Sequence, residues 1–447
     1  MPSNREHLIL GGGIIGCSIA LELARRGESV TVVERHGEVG HGTTSASCAI
    51  VRCFYSTDTM TALAHEGASI WSAWREHLQP TQDEELARFL RCGMLFIQTT
   101  ETSVVQETIA RMQRHGVEVQ WLDATQLRAR FPYLDVASQF PVRSPDADDF
   151  FEPTGRQIAG AVHELKAGYV ISPALATRNI RDAAARAGAR FHLGDEVLAI
   201  EGSTGLGDTG VANGLVSDRF RLRMQSGKTL HGDVLVNAAG PHSSLVNRMA
   251  AVDLGIETRP LRREVHALSN PAHERPGVAP VPIVADIDSG LYFQPEAGGI
   301  DLLLGSLDPQ GDVMEWLEDP DENDVQSSVA CHERHLLRLM KRFPEVQFER
   351  KRGLGSMYDV TTLDWNPVLD RTDRPGYYVA IGTSGSSFKT APVIGKLMTE
   401  LITQVEAGHD HDQHPLQMRL EQTGIEIDLG FFSRLRGAHN SSNTVLG

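Results

Sequence analysis

The chain has 447 residues, 41% of them hydrophobic and 22% charged, with a formal net charge of −16, which is chain enough for two or three domains with large cores. The acidic balance excludes a general nucleic-acid binder, because phosphates call for a basic surface. No segment approaches the ~20 uninterrupted apolar residues of a membrane span, the opening MPSNREH lacks the apolar core of a signal peptide, and Cys17, Cys48, Cys53, Cys92 and Cys331 are scattered without C-x-x-C spacing; a cytoplasmic, reducing setting follows, with neither a disulfide framework nor a zinc site.

An apolar run ends at Leu10, and Gly11, Gly13 and Gly16 then set a G-x-G-x-x-G spacing. Ser18–Ala24 continue as a helix that Gly27 closes, and Val30–Val33 form a second strand ending at Glu34. In this order the glycines have separate tasks: Gly11 permits the tight strand-to-helix turn, Gly13 lets backbone approach a pyrophosphate, and Gly16 lets helix and strand pack closely. The phosphates sit at the positive end of the helix, and Glu34 stands where a carboxylate accepts from a ribose hydroxyl. A motif this close to the start of the chain is commoner in flavoproteins than in enzymes carrying NAD on a later domain.

Further along, residues 59–78 read as a helix, 91–99 as a strand, 102–115 as a helix, 117–122 as a strand and 124–131 as a helix stopped by Pro132. Residues 141–155 are rich in Pro and Asp and read as a loop. A helix over 172–187 precedes strands over 190–201, a polar hairpin over 202–213 and a strand over 233–239. Residues 261–307 are repeatedly strand-like, 324–342 helical, 377–381 a strand and 391–405 a helix. Nucleotide-type βα units thus recur at the start, middle and end of the chain. The expectation is an α/β protein with a Rossmann-like domain built from discontinuous segments (1–88, 155–240 and 345–405). An interleaved α+β substrate domain (89–154 and 241–344) holds a mainly antiparallel sheet, and 406–447 form a C-terminal extension that wraps the surface or frays.

Several blocks resemble the D-amino-acid oxidase–like family of FAD-dependent oxidoreductases, in its sarcosine oxidase and N-methyl amino-acid dehydrogenase branch: residues 11–34, GTTS at 42–45 followed by Ile50-Val51-Arg52, GYVISP at 168–173, DVLVNAAGP at 233–241, and GTSGSSFKTAPVIG at 382–395. The resemblance implies FAD held by Gly11, Gly13, Ile14, Ile15 and Gly16, with Glu34 on the ribose and Arg35 beside the adenine. It places Thr43, Thr44 and Ser45 along the pyrophosphate and flavin, Val197 against the adenine through its backbone, and Ala239 and Gly240 at the pocket edge. Met357 and the turn of Gly382, Gly385, Ser386, Ser387, Phe388 and Lys389 pass the flavin. Arg52 and Lys389 would hold a substrate carboxylate, with Tyr292 at the substrate edge.

A planar guanidinium and a point-charge ammonium suit a carboxylate anchor. By pattern alone, Arg52 could equally snorkel to the surface, and Lys389, at a helix start where a cation is disfavoured, could face solvent. The sequence also departs from the family. Ser356 stands where relatives tether the flavin through cysteine, and Ser45, Ala46 and Ser47 where others use histidine, so non-covalent FAD is expected. Gly385-Ser386-Ser387 replaces a G-H-G, and Leu303 aligns with the lysine that promotes reaction with oxygen. No Asp or Glu of the motifs is assigned as general base. Arg262 and Arg263 are alternative carboxylate contacts or surface residues. His409, His411 and His414 form a cluster read as solvated tail, and no metal is expected. The function that follows is oxidation of the C–N bond of an amino acid or N-alkyl amino acid, with oxygen or another electron acceptor as partner. The alternatives are oxidation of a 2-hydroxy acid, or a non-catalytic flavin-binding subunit of a larger complex.

Overall fold

The strand Glu6–Leu10 is almost entirely buried, and it occupies the interior of a six-stranded sheet. It pairs in parallel with Ser29–Glu34 on one side and Val234–Asn237 on the other, and the sheet continues through Arg190–Leu193 at one edge and Tyr377–Ile381 and antiparallel Val368–Arg371 at the other. The computed structural model describes residues 5–202, 211–212, 215–216, 219–307 and 312–446; most of the hairpin expected over 202–213 lies outside them.

Helices Ile14–Arg25, Pro173–Arg186 and Ala391–Glu406 cover one face of this sheet, sharing a core of Ile9, Ile19, Val32, Ile180 and Leu397. The antiparallel sheet of Val197–Glu201, Phe220–Met224 and Thr229–Gly232 covers the other through Leu8, Leu222 and Leu235. Side chains of the kind that start helices mark the boundaries: the Ser172 hydroxyl accepts from Leu175 N–H just before Pro173, and Thr102 caps Ser103–Arg114. The helix expected from 324 begins at Val329, because the Ser328 hydroxyl caps it and the carbonyls of Asp324 and Gln326 are drawn away to the Arg262 guanidinium.

The second layer is a mainly antiparallel nine-stranded sheet. Near one end of it, Thr258–Ser269 pairs with Arg352–Thr361, Asp301–Ser306 and Glu315–Trp316. The sheet then runs through Leu291–Glu296, Ile283–Asp286, Met94–Gln98, Gly160–Glu164 and Val119–Asp123. Two of these strands, Gly160–Glu164 and Arg352–Thr361, fall in segments expected to belong to the nucleotide domain but pair in this sheet instead. Sequence order misleads here because long crossing connections carry the chain between layers. Trp71 and Trp74 are buried and stacked, as their helical spacing suggests. No helix among the described residues is long and apolar enough to cross a membrane.

The C-terminal extension wraps the surface, pinned at several points. Arg434 is bridged to Asp370 and Asp412, Arg436 to Asp364, and buried Glu66 accepts the N–H groups of Gln422 and Thr423. His411 is buried as well, its Nδ1 accepting from Leu416 N–H. From these fixed points the chain carries Val445 and Leu446 into the wall of the cleft described next.

Candidate active site

A long cleft runs between the two layers. At one end the strand Glu6–Leu10 stops and the chain turns sharply into Ile14–Arg25. Gly11 has φ of +111°, and a Cβ there would lie 2.4 Å from the Ala238 carbonyl oxygen. Gly16 packs so closely that a Cβ would meet the Gly11 carbonyl oxygen at 2.0 Å. Gly13 is the N-cap and has no side chain of its own to cap the helix, whose first turn holds no acid, and its positive end faces the cleft. Thr44 Oγ1 accepts from Ile14 N–H at 3.3 Å and ties in the 42–47 loop. Glu34 is fixed by Gly12 N–H at 2.7 Å and His36 N–H at 2.8 Å. Beside it Arg35 lines the cleft and pairs with Asp321 at 2.8 Å.

At the far end the wall is made of side chains from distant segments. Arg52 and Lys389 are each only 4% exposed, which rules out both surface readings. Lys389 Nζ donates to the Tyr55 hydroxyl at 2.9 Å and to the Ser386 carbonyl at 2.5 Å. The Arg52 guanidinium lies 4.4 Å from the Tyr55 ring centroid and donates to the carbonyls of Phe54, Val445 (2.8 Å) and Leu446 (3.0 Å). Neither cation forms an ion pair among the described residues. Burial depresses the Lys389 pKa, and the Arg52 charge pushes the same way, against the Tyr55 contact. Burial alone would raise the Tyr55 phenol, but the two cations and its hydrogen bonds bring it below its ordinary value. Opposite, Tyr292 donates to or accepts from Cys48 Sγ at 3.4 Å; burial drives the Tyr292 phenol well up and the Cys48 thiol to about 11, so both stay protonated.

The helix end suits a pyrophosphate and the Glu34 carboxylate a ribose, with the long cleft between them and the buried cations accommodating a flavin. Over residues 6–401 the sequence matches the FAD dependent oxidoreductase (DAO) family. The chain belongs to the FAD-dependent oxidoreductase family. Among similar sequences, glycine oxidase of Geobacillus kaustophilus is 24% identical over 440 residues, covering 95% of this chain and all of that one. FAD-dependent oxidoreductase domain-containing protein 1 of Bos taurus is 24% identical over 428 residues, covering 90% of this chain and 82% of that one. Among solved structures, L-proline dehydrogenase of P. horikoshii shares the fold at a TM-score of 0.72 and 20% identity, covering 97% of this chain and 98% of that one.

For an FAD-dependent oxidoreductase, the structure brings most of the expected residues to one cleft. Gly11, Gly13, Ile14, Ile15, Glu34, Arg35, Thr43, Thr44, Ala239 and Gly240 line its cofactor end, and Met357, Gly385, Ser386, Ser387, Phe388, Lys389, Tyr292 and Arg52 its other reaches. Four expected contacts lie off the wall. Gly16 serves helix packing. Ser45 is exposed and turns its hydroxyl to the Gly42 carbonyl. Val197 pairs with Met224 in the small sheet, where a bulge follows. Gly382 stands behind the wall, its N–H given to Asp359. Arg262 is engaged by Glu264 and Glu315 away from the cleft, whereas Arg263 lines it. Leu303 sits opposite Gln294 and Ala267 in the sheet and is not part of the cleft wall.

Asp359 is the residue the sequence reading missed. It lines the cleft fully buried, accepting from Gly382 N–H at 2.7 Å and Ser243 Oγ at 3.3 Å, and burial raises its pKa to about 7 despite those bonds. Its position in the block GSMYDVT carried no chemical signal, because burial of a carboxyl is a tertiary property. Val445 and Leu446 were missed for the same reason.

Proposed function

We propose that this enzyme oxidises a small substrate bearing a carboxylate, at the C–N bond of an amino acid or N-alkyl amino acid. The carrying observation is the buried pair Arg52 and Lys389: two cations on the cleft wall whose direct hydrogen bonds go to hydroxyl and carbonyl oxygens, with the buried Glu164 carboxylate, bound to Cys53 N–H, acting on both only through space. A buried charge calls for an opposite charge, and a substrate carboxylate supplies it. FAD, when bound, supplies the hydride acceptor. The chain's own contribution is positional. Arg52 offers a fork and Lys389 a point charge to the inert end of the substrate, which fixes the reacting carbon in place. Tyr292, neutral and turned to Cys48, forms the opposite wall. A carboxylate accepts more strongly from Arg52 than the neutral Val445 and Leu446 carbonyls do, so substrate entry exchanges those contacts for its own. Relatives named for glycine, sarcosine and proline support the amino-acid reading.

FAD is held without a covalent bond. Ser356, Ala46 and Ser47 on the cleft wall cannot tether it, and Cys48 is kept as a thiol bonded to Tyr292. Acid precipitation should release all the yellow colour into the supernatant. The reaction class is tested by anaerobic mixing of the yellow enzyme with amino, N-methyl amino and hydroxy acids. Bleaching by an amino or N-alkyl amino acid is expected. Bleaching by hydroxy acids alone would replace the proposal with C–O oxidation, and no bleaching by any compound would defeat it.

A further inference from the structure

The helix Val329–Arg342 packs on the large sheet and contains the run Cys331-His332-Glu333-Arg334-His335. Cys331 and His335 are four residues apart and therefore share one helix face. His266, on the strand Thr258–Ser269, faces them. One donor atom from each of His266, Cys331 and His335 lies within 4.8 Å of the other two. Cys331 Sγ is 3.6 Å from His335 Nε2, and the His266 and His335 ring centroids are 5.4 Å apart.

None of the three lines the cleft. His266 is 0% exposed, yet neither of its ring nitrogens has a hydrogen-bond partner; the nearest carboxylate oxygen, Glu264 Oε2, is 3.6 Å from Nε2. Orphaned polar atoms in a packed interior are uncommon and costly. Gly353 packs against Ser327 and this ring, and a Cβ there would come within 2.2 Å of Ser327 Oγ and 2.9 Å of His266 Nδ1. His332 stands next to the cluster, with Nε2 bonded to the Glu349 carbonyl and Nδ1 also without a partner. Cys331 is half-buried and gives the cluster a way to solvent.

We propose that His266, Cys331 and His335 bind one divalent cation of the zinc class, tetrahedrally, with the fourth position left to water or to His332. Nitrogen and sulfur donors select zinc-like ions over magnesium and calcium. Bonds of ~2.0–2.3 Å put tetrahedral donors some 3.3–3.7 Å apart, so the cluster closes by about 1.5 Å or less from its present spacing. The metal–sulfur bond forms as the Cys331 thiol gives its proton to solvent; no electron is transferred. Bound, the ion fastens the helix to the strand that also places Arg263 and Val265 in the cleft wall.

The test uses flavin-loaded enzyme stripped with a chelator and titrated with Co²⁺. One equivalent should bind, with red ligand-field bands beyond the flavin absorption and a thiolate charge-transfer band, all lost on displacement by Zn²⁺. Cys331→Ser should remove the charge-transfer band, and Cys331→Ser and His335→Gln should each weaken cobalt binding at least about tenfold, since even residues behind a metal ligand contribute that much. Flavin content and circular dichroism identify variants that have not folded. The double variant His409→Gln/His414→Gln should bind cobalt as wild type does. Absence of stoichiometric binding in wild type, or an unchanged cobalt spectrum in both Cys331→Ser and His335→Gln, would overturn the site.

Discussion

The two ends of the cleft are built differently. The end proposed to hold the cofactor is mostly main chain: a turn, a helix terminus and one carboxylate fixed by two N–H groups, all within residues 11–36. The substrate end is side chains gathered from around residues 52, 292, 358, 389 and 445. A backbone cradle can be encoded by consecutive residues because its geometry follows from local dihedrals. A pair of buried cations depends on what the whole fold brings opposite them. The ends should therefore fail differently when perturbed: damage to one removes the cofactor, and damage to the other spares the cofactor and removes the substrate.

The largest effect expected is at the substrate end. Arg52→Ala and Lys389→Ala should each raise KM for the best carboxylate substrate by a factor matching ~2–5 kcal/mol, the usual loss when one partner of a buried charge pair is cut, with the flavin spectrum nearly unchanged. Steady-state kinetics beside flavin spectra check this, and normal turnover by both variants would move the anchor to Arg263. Next is the cofactor end. Glu34→Ala should weaken FAD binding by ~1–3 kcal/mol, the range for a hydrogen bond to a charged group, and leave KM of the loaded enzyme unaltered. Fluorescence titration of the apoprotein with FAD measures it.

Asp359 lies between the ends, and its effect is on stability. Its pKa is raised from 3.8 to about 7 in the folded chain, so the folded state holds a proton that the unfolded state has released. This contribution is complete below the unfolded value and is lost as pH rises through about 7. Thermal unfolding should show Tm falling across that window by ~2 °C per pH unit, and Asp359→Asn should flatten the slope. A parallel slope in the variant would show that Asp359 titrates normally. The smallest effect concerns the strap. Deleting residues 440–447 removes two neutral hydrogen bonds from Arg52, each with a net value of about 0.5–1.5 kcal/mol. KM should fall, by at most the ~5–150-fold that two such bonds sum to; a rise would mean that the strap helps to hold the substrate.

Legibility in the sequence follows the same division. The unit from Glu6 to Glu34 was readable in full, because strand, turn, helix and acid are consecutive, even though the backbone that Gly11 must clear comes from Ala238. Arg52 and Lys389 were readable as candidates, through resemblance, while their burial was not. The alternation of Thr258–Ser269 marked a strand, yet which of its neighbours Arg262 and Arg263 faces the cleft depended on register, and one step separates the two faces. Leu303 lies on a strand, as expected, and is not part of the cleft wall.

By itself, then, the sequence determined what neighbouring residues decide among themselves: the phosphate-binding turn, the helix starts near Thr102 and Ser172, the strand-like runs and the FAD family. Only the tertiary structure decided which charges were buried and what met across layers. Asp359 differs from any other aspartate in the chain only by its surroundings, and the terminal Val445 and Leu446 reach Arg52 only because Arg434 and Arg436 are pinned. His266 and the Cys331–His335 pair stand 65 residues apart or more in the chain, and no spacing rule links them. Local dihedrals and hydrogen bonds act within a few residues, whereas burial, register and long-range charge contacts exist only once the layers have packed.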